Sequence, residues 1–529
     1  LTAAQLKTKF DTTIPSDLLT VERGLDRVGT PFAVFLLLIF SAWAWVASRE
    51  ARLSFDELLE ISVATAPTVH QIVPFLAAGI DYNPPLSHVL TRLSIATFPN
   101  SEVAARLPAF LGFVVLLVFL YGFVTRWLSP SYGIFAMLLI MSSPVRMFAV
   151  FGRPYGLVLG FAGAALFAYQ RAITHKPRAI ALMTLSLCSA ALAASHYYGI
   201  LATSGILFAE LLRAKTLKRP DWKPLTCTIV PAALVFALLL DTIRHQRSQF
   251  TNYFARGNLL SFDHGYDAFD IDPMIYCVGL LLVIATLWRL RTLNPSGVKL
   301  SLDAFSPEVC AGFGLLLLPI LGAFLTQFVT HAYISRYFLP AVMGLAICLC
   351  YVIRLSSVIL PGIIVLLNIA LAVGFGKTTM QDFRRPPEML PARVTLAAAN
   401  GPILFDAPSA YVQVRHYYPE LRSKLWVIAD PSTQLRYRNY DTDDKIMLAL
   451  ATKGLAQTIT LRDAVRRWPT FSLIPRSADY VWALKCLMDV GAKITTRAAF
   501  GNSNFVFDVT VLPENLPAID ACGNRVQSP

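Results

Sequence analysis

The sequence predicts a polytopic α-helical membrane protein of about eleven transmembrane helices with a C-terminal soluble α/β domain. Three observations predict it. Long apolar blocks recur through the first 375 residues. Charged residues make up 15% of the 529-residue chain, where soluble domains carry about 25%. Beyond Lys377 the long blocks stop, and short β-type runs alternate with helical patterns.

The apolar blocks run near 30–48, 104–125, 131–150, 155–171, 179–195, 197–213, 225–242, 273–290, 309–329, 337–353 and 356–375. Each reaches the lower limit of about 17 residues for a helical span. The first block reads as a retained span, not the core of a cleaved signal peptide. Mean hydropathy is +0.55. The net charge is +13. In a soluble chain that excess suggests nucleic acid. Here much of it sits in short loops, which points to anionic lipid and excludes a nucleic-acid partner.

Lysine and arginine assign sides. Arg126, then Arg171, Lys176 and Arg178, then Arg213 to Lys223, then Arg289, Arg291 and Lys299, then Arg354 fall in alternate loops. The positive-inside pattern makes these loops cytoplasmic, with the N-terminus, which carries Lys7, Lys9, Arg23 and Arg27. An odd number of spans then places the C-terminal region outside.

The first outer loop, 49–103, is long. Ser54 to Ile61 reads as an amphipathic helix, and Ser87 to Phe98 as an apolar-faced one, both expected along the membrane surface. The loop at 243–272 is polar and aromatic and reads as a mobile covering loop. Residues 1–376 are expected to form the transmembrane domain and 377–529 an extracytoplasmic α/β domain, joined by a linker at Arg384-Arg385-Pro386-Pro387. Six of the eight cysteines lie in or beside apolar blocks and behave as small hydrophobes. Cys486 and Cys522 fall in the polar region, where an oxidising compartment would allow them to pair.

The polar residues of the spans are not scattered at random. Asp56, Glu57, Asp81, Arg106, Arg153, His196, Tyr197, Tyr198, His331, Arg336 and Tyr337 all map to outer ends of spans or outer loops. A shared face lets them converge on one pocket at the membrane boundary. Ionisable groups at such depth are costly, which makes them functional candidates. Asp56-Glu57 can accept a proton from an attacking hydroxyl or amine; the plainer reading is acids at a helix start. Asp81 and Asn83 are held by the double proline Pro84-Pro85. Asp81 can orient a donor or bind a divalent cation, or simply make an Asx turn. Two separated acids do not make a metal site, so no metal ligand set and no cofactor is assigned. Arg153, followed by Pro154-Tyr155, and Arg336, flanked by Tyr337, are phosphate candidates; lone arginines at span ends also snorkel to headgroups. His196-Tyr197-Tyr198 opens a span, as a phosphate donor or as part of an aromatic belt. Asp441-Thr442-Asp443-Asp444 reads as helix-start acids.

In order, Asp56-Glu57, Asn83-Pro84-Pro85-Leu86, Ala105-Arg106-Leu107-Pro108, Arg153-Pro154-Tyr155, His196-Tyr197-Tyr198-Gly199 and Arg336-Tyr337-Phe338-Leu339-Pro340 resemble the GT-C class of membrane glycosyltransferases. The resemblance is to bacterial relatives of protein O-mannosyltransferases and of the lipid A aminoarabinose transferase. It covers residues 28–375. It implies an inverting transferase in the bacterial inner membrane that takes a sugar from a polyprenyl-phosphate donor. The acceptor would be protein, lipid or glycan. Asp56 would be the general base with Glu57 beside it, while Arg106, Arg153, His196 and Arg336 would bind donor phosphate. Aminoarabinose-type members carry a lysine immediately before the double proline; Asn83 stands there in this chain, which argues against an aminoarabinose donor. Two other classes compete. A flippase of lipid-linked sugars would need charges at mid-membrane. An assembly subunit would leave the ordered polar face unexplained.

Overall fold

The computed structural model describes residues 16–98, 102–174, 178–217, 221–269, 306–356, 363–384, 390–399, 401–475, 482–500 and 504–519, with 281 and 284. The expected span at 273–290, apart from 281 and 284, and Cys522 lie outside the described residues. Contacts divide the chain into two compact units, each built from separate segments. The first combines Leu1–Arg49, Ser94–Leu239 and Arg256–Arg385. The second combines Glu50–Leu93, Leu240–Ala255 and Pro386–Pro529.

The first unit is helical around one apolar core. Among the described residues of the chain, five helices are long and apolar enough to cross a membrane: Asp26–Glu50, Glu102–Trp127, Tyr155–Thr174, Trp222–Ser248 and Ile363–Asp382. The pair Pro307–Leu316 and Leu318–Thr330, bent by 45°, makes a sixth if counted as one span. Pro130–Ser142, Ala179–Ser195 and Ala341–Leu355 are apolar but shorter. The expected spans therefore differ in length for local reasons. Pro144 follows the end of the 130–142 helix and starts a 3₁₀ turn, Pro144–Ala149, so block 131–150 is broken. His196 is extended, and Tyr197–Thr203 is 3₁₀ before the Ser204–Leu217 helix, so block 197–213 is broken too.

One helix pair shows why glycine is placed as it is. Glu102–Trp127 packs on Tyr155–Thr174. A Cβ at Gly112, Gly156 or Gly160 would collide with the backbone of the facing helix. Such small-residue contacts let membrane helices approach closely without a hydrophobic driving force between them. The contact fixes the start of the second helix, where Tyr155 stands.

The second unit holds a six-stranded sheet in the order β3-β2-β1-β4-β6-β5. The strands are β1 Ile403–Phe405, β2 Leu425–Ile428, β3 Thr458–Ile459, β4 Thr470–Ile474, β5 Lys493–Phe500 and β6 Asn504–Thr510. Strands β3, β2, β1 and β4 run parallel; β6 is antiparallel to β4 and to β5. β1 is fully buried, as a parallel strand covered on both faces must be. Ile403 and Phe405 enter one apolar cluster and Leu404 the other, following the two-residue period.

The first outer loop differs from its expected place along a membrane surface. Leu59, Val63, Ile72, Leu76 and Ile80 share an apolar cluster with Ile403, Phe405, Leu425 and Val427 of the sheet. The Pro408–Tyr417 helix holds the loop's entry: Leu53 N donates to Tyr417 OH at 2.8 Å, and Gln413 Nε2 donates to Leu53 O at 3.0 Å. The apolar face that suggested lipid is covered by the sheet's own helix layer. The expected boundary at 376/377 falls inside the helix Ile363–Arg384.

Candidate functional site

The candidate residues fall in two groups, one in each unit. In the second unit, Ser54 starts the helix Phe55–Ala64 as its N-cap. Ser54 Oγ accepts from Glu57 N, and Glu57 Oε2 accepts from Ser54 N at 2.9 Å. This is a closed capping box, so Glu57 is occupied in starting the helix. Asp56 stands beside it in the first turn, half-buried. Its charge acts on Asp443, whose carboxyl is pushed up to about 6, first by burial, against the pull of Arg438, and then by Asp56.

Asp81, Asn83 and the double proline make a rigid, buried turn. Asp81 Oδ1 accepts from Tyr82 N at 2.6 Å and from Asn83 Nδ2 at 3.0 Å. Asp81 Oδ2 meets His88 Nε2 at 3.2 Å, and Glu60 Oε2 meets the same nitrogen at 3.4 Å. Gln246 Nε2 donates to Asp81 O at 2.9 Å. The Tyr82 ring packs edge-on against Phe250 and Tyr253, and burial raises its phenol far above the ordinary tyrosine range. Asp81 and Asn83 thus meet each other in this turn, and Asp81 also reaches His88 and Gln246.

In the first unit, Arg336 lies over the face of Tyr155, 5.6 Å from the ring centroid, a cation–π contact. His196 packs against Tyr155 at 5.5 Å and Tyr337 at 4.7 Å. Tyr198 closes the group at 4.7 Å from Tyr337. Segments far apart in sequence supply these rings: the start of the 155–174 helix, the 3₁₀ turn after His196, and the 3₁₀ turn Ser335–Phe338. His196 Nδ1 accepts from Tyr198 N at 3.1 Å. That assigns the proton of a neutral ring to Nε2, making it a donor. Arg106 and Arg153 are buried in the same unit. Arg106 Nη1 donates to Ser48 O at 2.8 Å, and Arg153 immediately precedes Pro154 and Tyr155.

Two expected residues stand differently. The Tyr197 ring meets Phe236 at 6.3 Å, and Tyr198 takes the place in the aromatic group. His331 is exposed with φ of 55°, and its carbonyl receives Gly257 N. Its backbone makes the bend after the π turn Thr326–Thr330. Sequence reasoning passed over Glu60 and His88. Glu60 is one helical turn beyond Asp56, and His88 lies four residues after Pro84, so helical spacing was the available signal. It also passed over Arg146, which pairs with Asp382 at 2.8 Å and lies over Trp43.

No protein-family model matches the sequence, and no curated protein matches it. The fold has solved counterparts. It is similar to the crystal structure of ArnT from Cupriavidus metallidurans in the apo state, with a TM-score of 0.56 and 11% identity over 90% of this chain and 98% of that one. The same protein bound to undecaprenyl phosphate gives a TM-score of 0.52 and 12% identity, with the same coverage.

Proposed function

We propose that this chain is a glycosyltransferase of the bacterial inner membrane that moves a sugar from a polyprenyl-phosphate donor to a protein, lipid or glycan acceptor at the outer face. One observation carries the reading: Arg336 and the Nε2 donor of His196 are gathered on Tyr155 and Tyr337, in a fold shared with a protein crystallised with undecaprenyl phosphate. A guanidinium and a neutral imidazole N–H set on aromatic faces suit a phosphate monoester or diester.

In this reaction Asp56 takes the proton from the acceptor hydroxyl or amine as that atom attacks the anomeric carbon. The bond from anomeric carbon to phosphate oxygen breaks, and polyprenyl phosphate leaves with the electron pair. Attack opposite the leaving group inverts the anomeric centre. Arg336, Arg153, Arg106 and His196 stabilise the departing phosphate, a preorganised electrostatic contribution. Glu57 positions the helix that carries Asp56, and Asp81 with Asn83 shapes the neighbouring loop. An outer location of the second unit is supported by Cys486, which is disulfide-bonded, since such bonds persist in oxidising compartments.

The phosphate assignment is tested by native mass spectrometry of the detergent-purified protein with undecaprenyl phosphate. The wild type is expected to retain the lipid. Arg336→Ala is expected to weaken it about tenfold, equivalent to about 1.4 kcal/mol. Equal retention by both would remove Arg336 from the phosphate site.

A further inference from the structure

We propose that Glu60, Asp81 and His88 form a binding site for a divalent transition metal of the zinc class. Glu60 Oε2, Asp81 Oδ2 and His88 Nε2 all lie within 4.8 Å of one another. Their side chains are 1%, 3% and 0% exposed. They come from three pieces of the second unit: the helix Phe55–Ala64, the turn before the double proline, and the helix Pro85–Thr97.

The orientation of the imidazole is the central observation. His88 Nδ1 lies 3.2 Å from the carbonyl oxygen of Pro84. A carbonyl oxygen only accepts, so Nδ1 carries the proton of a neutral ring. In the neutral ring Nε2 turns its lone pair toward two carboxylate oxygens at 3.4 and 3.2 Å, whereas a doubly protonated ring donates to them. Two buried carboxylates this close to one ring nitrogen call for positive charge among them, from a second ring proton or from a cation. A divalent cation supplies that charge and balances both carboxylates. The spacing fits as well. Zinc–nitrogen and zinc–oxygen bonds of about 2.0–2.2 Å give tetrahedral edges of about 3.3–3.6 Å, close to the two distances on His88.

The surroundings match those of a metal ligand set. The Nδ1 bond to the Pro84 carbonyl fixes the ring, as outer partners of metal-bound histidines do. Tyr82 N and Asn83 Nδ2 hold Asp81 Oδ1, which turns Oδ2 toward His88. Three protein ligands leave a fourth position for water. The bound ion would tie both helices to the Asp81 turn and stabilise the first outer loop.

The test uses the full-length protein purified without chelators. Metal analysis is expected to find about one zinc per chain, as for a structural site coupled to folding. Protein stripped with a chelator is expected to bind Co²⁺ with visible d–d absorption, and to regain thermal stability on adding Zn²⁺. Glu60→Gln and His88→Gln are each expected to weaken Zn²⁺ at least tenfold. Metal-free wild type that is indifferent to Zn²⁺ and Co²⁺ would overturn the proposal and leave a protonated histidine bridging two carboxylates. The cobalt titration of wild type decides the matter even if a variant fails to fold. Metal content is read without a sugar donor, so its outcome is separate from that of the transfer reaction.

Discussion

Asp56 and Glu57 are adjacent, and the capping box gives Glu57 a structural task, because Glu57 Oε2 receives Ser54 N. Glutamine also serves at that position of a capping box. Glu57→Gln is therefore expected to keep both stability and transfer, whereas Ser54→Ala costs about 1 kcal/mol, read as a lower unfolding temperature in detergent. A large loss of transfer in Glu57→Gln with normal stability would show that Glu57 acts in the chemistry itself. His196, Arg336, Tyr155 and Tyr337 were legible in sequence because each stands in a short polar-aromatic motif at a span end. Tyr198, named with His196 and Tyr197 in the same motif, joins the group from the 3₁₀ turn that follows His196. Helical spacing set Glu60 one turn beyond Asp56 and His88 one turn beyond Pro84, but their meeting at one nitrogen is tertiary and was not legible.

At the scale of elements, the close helix pair makes a sharp prediction. Gly156→Leu forces apart the helices Glu102–Trp127 and Tyr155–Thr174. Overpacking costs about 1–3 kcal/mol and displaces Tyr155 from Arg336. Gly374→Ala and Gly376→Ala meet nothing within 4 Å and are expected to leave the melting temperature unchanged. Equal melting temperatures for all three variants would refute the packing role.

The acids beside the parallel strands make a second prediction. Burial is the largest cause raising Asp406 to about 7, Asp443 to about 6 and Asp444 to about 8. Acids raised above their unfolded range bind protons in the folded state that the unfolded chain has released. Their contribution is full below about pH 4 and is lost as pH rises through about 6 to 8. Asp430 and Asp441 are held low by their hydrogen bonds despite burial, so their contribution is lost only at lower pH. Unfolding followed by tryptophan fluorescence is expected to move to lower temperature from pH 5 to 8.5, with a shallower slope in Asp444→Asn. A rise in stability over that range would contradict the assignment. Helix-start acids were the sequence reading of 441–444, and a helix does begin at Thr442. The burial that shifts Asp443 and Asp444 comes from tertiary packing and leaves no local mark.

For the whole molecule, membrane character and the order of helices were legible because hydrophobic length is a local property. The assignment of the first loop was not. Its amphipathic helix has the same pattern whether its apolar face meets lipid or a protein core, and here the cluster around β1 and β2 takes it. Fold similarity at 11% identity speaks to the framework and leaves function to the site's own chemistry.

The most direct measurement is covalent sugar transfer by the purified protein in liposomes supplied with polyprenyl-phosphate-linked sugars and candidate acceptors. Wild type is expected to form product and release polyprenyl phosphate in equal amounts. Asp56→Asn is expected to fold and insert normally with transfer reduced to background. Full transfer by Asp56→Asn would contradict the role of that residue; movement of the lipid-linked sugar across the bilayer with no bond formed by wild type would contradict the transferase itself.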